Sequence, residues 1–464
     1  MKNKIIGGIG LLLSLYISAL VGGGCAQMGA PTGGPRDSLA PVLIKATPGL
    51  QSLNVRGNRI TLTFDEYIEL QEMQTNLLIA PLPKNSPIIN SSLRTVSIRL
   101  RDSLLPNTTY SIQFGNAIKD INEGNVLPNF TYVFSTGNSI DSLSLEGKVL
   151  LAETGKPDST INVLLYRNSS DSAVEKLKPD YMARLKGDGS FIFNNLPAAD
   201  FSIYALKDGD GSKNYSSKSE LFAFTEARVR PGDSNAAVLL SAYAEQPPKD
   251  NNIKPVLRRA PEKKLTFSNN LVGTQDLLTK LSLTFNNPIK TIDSLALTLR
   301  DTNFVALAGG IPYLDSSKKI LTYAPVWIPG QEYRIIIGDN SLQDSAGNKP
   351  AATDTFSFSA KNEGDYGRVI FRFTNYEQAS NPVLQLVSGQ DIKYSFALTG
   401  PTWQNNRIAP GEYEIRILLD SNQDGVWTPG SYSSKRQPEK AITLPQKLSV
   451  KADWDNERDL DIAF

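Results

Sequence analysis

Leu105-Pro106-Asn107-Thr108-Thr109-Tyr110-Ser111-Ile112 recurs farther along the chain as Ile328-Pro329-Gly330-Gln331-Glu332-Tyr333-Arg334-Ile335. In each copy Pro-Asn or Pro-Gly turns the chain, and a tyrosine then anchors an alternating strand into a core. The surroundings repeat as well. Upstream, Leu62-Thr63-Phe64-Asp65-Glu66-Tyr67-Ile68 is echoed by Leu283-Thr284-Phe285-Asn286-Asn287-Pro288-Ile289. Downstream, each copy reaches an acidic turn, Asp120…Gly124-Asn125 or Asp344…Gly347-Asn348, and closes on Phe134-Ser135 or Phe358-Ser359.

Between these landmarks the sequence alternates apolar and polar residues: Ile60–Phe64, Val96–Leu100, Tyr110–Phe114 and Thr131–Phe134. Period-two alternation rich in β-branched and aromatic residues marks half-buried strands. Several such runs in about a hundred residues, spaced by Gly, Pro and Asn, predict a β-sandwich. No amphipathic pattern predicts a helix longer than two or three turns. A second repeat lies between the copies of the first. Residues 196–208 align without a gap to residues 408–420, with Leu-Pro-Ala-Ala against Ile-Ala-Pro-Gly, Phe201 against Tyr413 and Asp208 against Asp420. Leu145-Glu146-Gly147-Lys148-Val149 opens the first of these units, and Gly367-Arg368-Val369-Ile370-Phe371 is the matching candidate in the last.

The first repeat resembles the SbsA-like bacterial Ig-like domain. The second resembles the carboxypeptidase regulatory-like, or transthyretin-like, β-sandwich. Both resemblances imply small β-sandwiches, and the first implies one without a required disulfide. The expected fold is therefore all-β, a string of four small β-sandwiches of alternating type. The expected boundaries are an Ig-like domain over 40–138, a transthyretin-like domain over 143–245, a charged Pro-rich linker over 246–261, a second Ig-like domain over 262–361 and a second transthyretin-like domain over 366–464. The alternation, together with Pro-Thr-Gly-Gly-Pro-Arg-Asp-Ser (31–38) and Thr63-Phe64-Asp65-Glu66-Tyr67-Ile68, is similar to Ig-like lipoproteins of Bacteroidota.

The N-terminus fits that resemblance. Lys2 and Lys4 precede the apolar run Leu11–Val21, which ends in Gly22-Gly23-Gly24-Cys25. A positive start, a short apolar run and a small-residue end make an export signal over 1–24. Cys25 is the only cysteine of the chain. Its position resembles the lipidation site of bacterial lipoproteins, with Gly24 as the expected small residue and Gly22 departing from the usual aliphatic one. Residues 25–39 read as a lipidated tether, and several acyl chains would hold the protein on a membrane.

Composition narrows the chemistry. There is no histidine, so His-based acid/base pairs and His-ligated metals are excluded, and a lipidated Cys25 leaves no thiol nucleophile. Formal net charge is +1, and loss of Lys2 and Lys4 with the signal takes it to −1, which does not steer the protein to nucleic acid. The expected function is that of a non-enzymatic outer-membrane lipoprotein, facing the cell surface or the periplasm. It would act as a scaffold or adhesion and interaction module toward other envelope proteins, as an accessory subunit of an outer-membrane complex in one version. One rival is carbohydrate capture by the C-terminal half, which holds all four tryptophans, Trp327, Trp403, Trp427 and Trp454. A carboxylate-only glycoside hydrolase, needing two carboxyl groups about 5–9.5 Å apart, ranks last.

No catalytic or organic-cofactor site is expected. One cation site is. Asp420-Ser421-Asn422-Gln423-Asp424-Gly425-Val426 has the order that opens an EF-hand-type calcium loop. Oxygens of Asp420, Asn422 and Asp424 and the Val426 carbonyl would serve as ligands, with Ser431 where a bidentate Glu belongs. Asp208-Gly209-Asp210-Gly211-Ser212-Lys213 is a weaker parallel, and a polar hairpin turn explains either loop. Asp65 and Glu66 are expected to be strand neighbours pointing to opposite faces, solvated at a strand end.

Overall fold

The computed structural model describes residues 37–232, 237–247 and 264–462. The signal, Cys25 and most of the tether and linker lie outside the described residues. The chain divides into two compact units, Met1–Ile140 and Asp141–Phe464. Almost everything described is strand or turn. Among the described residues the two α-helices, α1 (Met73–Asn76) and α2 (Ala173–Lys176), are single turns.

The first unit is one sandwich of β1 (Leu43–Thr47), β2 (Arg59–Phe64), β3 (Ile68–Leu70), β4 (Leu78–Ala80), β5 (Ile88–Ser92), β6 (Thr95–Arg99), β7 (Thr109–Gly115), β8 (Ile118–Asp120), β9 (Val126–Leu127) and β10 (Phe130–Ser135). A β1-β2-β6-β5 sheet faces β10-β7-β4, and the small β3-β8-β9 sheet joins them. The predicted alternation is realised residue by residue. Ile60, Leu62 and Phe64 of β2, and Val96 and Ile98 of β6, are buried, and they meet Ile112, Phe114, Tyr132 and Phe134. Each fully buried side chain of this size contributes about 1.5–3 kcal/mol.

The second unit begins with β11 (Leu143–Leu151), β12 (Asn162–Tyr166), β13 (Tyr181–Arg184), β14 (Ser190–Leu196), β15 (Ser202–Leu206), β16 (Phe222–Phe224) and β17 (Val238–Ala242). A β14-β11-β17 sheet packs on β13-β12-β15-β16, and β11 runs parallel to β17. The third sandwich holds β18 (Phe267–Asn269), β19 (Leu281–Phe285), β20 (Ile289–Ile292), β21 (Tyr313–Leu314), β22 (Ile320–Tyr323), β23 (Glu332–Ile337), β24 (Leu342–Asp344) and β25 (Asp354–Ser359). Its β18-β19-β22-β21 order repeats β1-β2-β6-β5, and its β23-β25 and β20-β24 pairs repeat β7-β10 and β3-β8. The fourth holds β26 (Gly367–Thr374), β27 (Pro382–Ser388), β28 (Asp391–Ala397), β29 (Thr402–Ile408), β30 (Gly411–Leu419), β31 (Ala441–Val450) and β32 (Asp455–Asp461). Its sheets, β29-β26-β32 and β28-β27-β30-β31, reproduce the second sandwich strand for strand, including the parallel β26-β32 pair.

Shared chemistry underlies both repeats. Asn107 and Gly330 both take left-handed backbone (φ 47° and 69°), which sets the turn before each anchor tyrosine. Tyr110 Oη then accepts the Leu105 amide at 2.7 Å, and Tyr333 Oη accepts that of Ile328 at 2.8 Å. Each ring stacks on the closing phenylalanine, Phe134 or Phe358. In the other pair, Gly147 and Gly367 sit where backbone and side chains converge. An added Cβ would lie 2.3 Å from the Val238 carbonyl oxygen in one and 2.5 Å from Val450 Cγ1 in the other.

One expectation needs correction. Asp65 and Glu66 are not strand neighbours; they occupy the bend between β2 and β3. Asp65 Oδ1 accepts the Val42 amide, as Asn286 Oδ1 accepts that of Thr266 in the third sandwich. Glu66 is half-buried rather than solvated. Desolvation, and then the charges of Asp120, Asp65, Asp37 and Glu123, push its carboxyl above the ordinary value.

Candidate functional site

The most built-up place in the second unit lies between two sandwiches that are far apart in sequence. The β15–β16 connection of the second sandwich spans 207–221, whereas its counterpart in the fourth, between β30 and β31, spans 420–440. The longer loop carries Tyr432, a large amphipathic side chain in the polar run Ser431-Tyr432-Ser433-Ser434-Lys435-Arg436. An aromatic ring in a polar loop gains stability by leaving water for a core, and here that core is the neighbour's.

Tyr432 is 5% exposed and enters the core of the second sandwich, among Tyr204, Tyr215, Phe222 and Phe224. The rings meet edge to face, with centroids 5.0 Å apart for Phe222 and 5.2 Å for Phe224. Such pairs contribute about 0.5–1.5 kcal/mol each beyond burial. Its hydroxyl donates to the Asp171 carbonyl at 2.8 Å and lies 3.2 Å from Tyr204 Oη. Desolvation and the bond to Tyr204 push this phenol well above its ordinary range. Glu245, nearly buried, ties the base of the clasp. Its Oε1 accepts the Tyr432 amide at 3.0 Å and the Tyr215 hydroxyl at 3.1 Å. Lys435 pairs with Asp171 at 2.7 Å and lies over the Tyr432 ring.

A second seam runs alongside. The Ala441 amide donates to the Ala152 carbonyl, and Thr443 Oγ1 to that of Thr154, each at 2.7 Å. Lys156 pairs with Glu414 at 2.6 Å. Gly155 (φ 68°) allows the approach, since a Cβ there would meet the Ala441 oxygen at 2.7 Å. Gly430 does the same beneath the Tyr243 ring. The last two sandwiches meet more locally, where the Leu277 amide donates to Tyr366 Oη at 2.8 Å.

The acidic loops have distinct arrangements. Asp420 is 2% exposed, with Oδ1 accepting the Asp424 amide and Oδ2 that of Gly425. Asn422 Oδ1 accepts the Asp424 amide, and Asp424 Oδ1 that of Val426. The carboxylate that closes this loop is Glu439, far beyond Ser431. It accepts the amides of Ser421, Asn422 and Thr428. In the 208 loop, carboxylate oxygens of Asp208, Asp210 and Glu220 all lie within 4.8 Å of one another. Asp208 Oδ2 accepts the Lys213 amide, and bonds from the Ser212 side chain and amide draw Asp210 down to about 2. Three such oxygens are of the kind a hard cation takes.

The turn acids Asp120 and Asp344 are fully buried. Asp120 accepts the amides of Glu123, Gly124 and Asn125, and Asp344 those of Ala346 and Asn348 with the Asn287 and Asn348 side chains. Burial pushes both upward, but these bonds outweigh it and hold both below the ordinary carboxylate range.

The tryptophans are dispersed. Trp327 is core, with its indole N–H on the Thr279 carbonyl. Trp403 packs on Phe371 and Phe396. Trp454 is 63% exposed. Trp427 is half-buried between the second and fourth cores, its N–H on the Glu439 carbonyl at 2.8 Å. It borders a cleft of about 780 Å³ between the two sandwiches, beside the Tyr432 clasp. The clasp, the seam and the cleft were not expected from sequence. The unusual length of the 420–440 loop, with an aromatic in its polar tip, was the available signal.

Residues 37–136 match the family described as a bacterial Ig-like domain. No curated protein matches the chain. Among solved structures it is similar to the S-layer protein SbsC, at 12% identity over 90% of this chain and 54% of that one, with a TM-score of 0.16. It is also similar to the TIE protein of Bacillus anthracis, at 11% identity over 93% of this chain and 76% of that one, with a TM-score of 0.17. The major pilin subunit BcpA of Bacillus cereus matches at 7% identity over 68% of this chain and 98% of its own, with a TM-score of 0.17. The chain spans about half the length of the SbsC structures that it matches over most of its own length.

Proposed function

We propose that this chain is a non-enzymatic, lipid-anchored envelope protein that acts as a scaffold or adhesion and interaction module. The observation that carries this reading is the Tyr432 clasp. It joins two transthyretin-like sandwiches at a distance in sequence, an investment in a fixed presenting surface rather than in a reaction centre. The buried carboxylates serve the same end, since Asp120, Asp344, Asp420 and Glu439 bind backbone amides that shape loops. The third sandwich offers exposed apolar residues for contacts, among them Val272 (90%) and Val326 (92%).

Cys25 would carry the lipid and place the body at the outer membrane, as in Ig-like lipoproteins of Bacteroidota, with envelope proteins as partners. Calcium belongs to this reading as a proposal for Asp420, Asn422, Asp424 and the Val426 carbonyl. Binding would exchange amide hydrogen bonds for a cation, and would appear as a calcium-dependent rise in Tm that Asp420→Asn removes. The test of the function is a tagged pull-down from outer membranes solubilised in mild detergent. A stoichiometric barrel or lipoprotein partner supports the module, and recovery of the chain alone counts against it.

A further inference from the structure

The cleft beside the clasp has a chemistry that scaffolding does not use. At about 780 Å³ it falls within the roughly 300–1,000 Å³ of small-molecule sites. Its walls are built by both sandwiches. Leu151, Leu221 and Tyr243 come from one, and Trp427 and Pro429 from the other. Polar residues interrupt this apolar lining, among them Glu153, Glu220, Lys207 and Ser219, while the carboxylate of Glu245 is taken up by Tyr432, Tyr215 and Lys218.

Several of these groups are held in place by their own partners. Glu220 Oε2 accepts the amides of Ser216 and Ser217, while Oε1 takes no hydrogen bond among the described residues. Lys207 is steadied by Asp158 at 3.1 Å. Tyr243 is 1% exposed and forms the core behind the cleft, with Gly430 against its ring.

We propose that this cleft binds a neutral saccharide. A sugar ring has an apolar C–H face that suits the indole of Trp427 and the aliphatic wall of Leu151, Leu221 and Pro429. Its hydroxyl edge donates to carboxylates in charge-assisted bonds. The excess of carboxylate over ammonium repels phosphates and other anions, and a wholly apolar ligand would strand the carboxylates without water. Trp427 is thus the one tryptophan of the four set for ligand contact, and it is supplied by the fourth sandwich to a wall made mainly by the second. Trp427 and Pro429 complete the wall only while the two are clasped. This inference stands apart from the scaffold reading and needs no protein partner.

The full chain, titrated with tetrasaccharides of glucose, N-acetylglucosamine and mannose, is to be followed by calorimetry and tryptophan fluorescence. At least one probe is expected to saturate, with affinity falling at least about tenfold in Trp427→Ala. Because Trp427 also packs between the cores, the rim variants Glu153→Gln and Lys207→Met, both at exposed side chains, provide the second readout. They are expected to weaken binding with Tm unchanged. Saturation by none of the probes up to about 10 mM overturns the proposal. So does affinity that none of the three variants alters, or binding of a proline-rich peptide at this cleft in place of sugar.

Discussion

Replacing Tyr432 with alanine tests whether the second and fourth sandwiches depend on each other. The side chain is buried at 5% exposure, with Tyr204, Tyr215, Phe222 and Phe224 around the ring. Removing a buried aromatic costs about 3–5 kcal/mol, the upper values applying where surrounding rings cannot collapse into the space. The Asp171 carbonyl and Tyr204 hydroxyl also lose their partner. Tyr432→Phe isolates that part and is expected to cost about 1–2 kcal/mol. For a cooperative unit of this size, 1 kcal/mol moves Tm by about 2–4 °C, so Tyr432→Ala is expected to lower it by roughly 6–20 °C. Calorimetry and urea unfolding of the full chain supply both numbers. A double-mutant cycle of Tyr432→Phe with Tyr204→Phe should show coupling above about 0.5 kcal/mol. If Tyr432→Ala unfolds within about 1 kcal/mol of the parent chain, the clasp does not hold the sandwiches and the reasoning fails.

Asp120→Asn should cost about 1–3 kcal/mol by weakening the bonds to the Glu123, Gly124 and Asn125 amides. Because the folded-state carboxyls of Asp120 and Asp344 are lowered, their contribution is complete above the unfolded value of about 3.9. It is lost as pH falls through the folded values, and Tm measured against pH in Asp120→Asn should show a shallower acid limb. Glu66 has the opposite sign. Its raised carboxyl makes ionisation unfavourable in the fold, so Glu66→Gln should raise Tm at pH 7 by less than the Tyr432 effect. That gain should vanish as pH falls below about 4.3, and a Tm lowered at pH 7 would refute the argument from desolvation and like charge. Gly147→Ala and Gly367→Ala each drive a Cβ into close contacts and should cost about 1–3 kcal/mol in urea unfolding. Cys25→Ser should move the protein from the membrane fraction to the soluble fraction on ultracentrifugation, and unchanged partitioning would exclude the lipid anchor.

The all-β class and the two repeats were set by local pattern. Alternation decides which face of a strand is buried, and the Pro-Asn or Pro-Gly turn before Tyr110 and Tyr333 decides where the next strand begins. Both signals are complete within about ten residues. Asp120 and Asp344 were legible as turn formers for the same reason, since most of their partners are amides a few positions away, whereas their full burial, and the Asn287 bond to Asp344, came only with the fold. What only the tertiary structure decided depends on separation. Glu66 and Asp120 belong to turns of different strand pairs, so their mutual repulsion exists only once β3 and β8 are paired. Glu439 closes the 420 loop from beyond the expected ligand positions, because the chain doubles back before β31. Tyr432 finds its rings in a sandwich assembled more than two hundred residues earlier. No period or spacing records such a contact, because its stability comes from apolar surface that two independently patterned domains remove from water together.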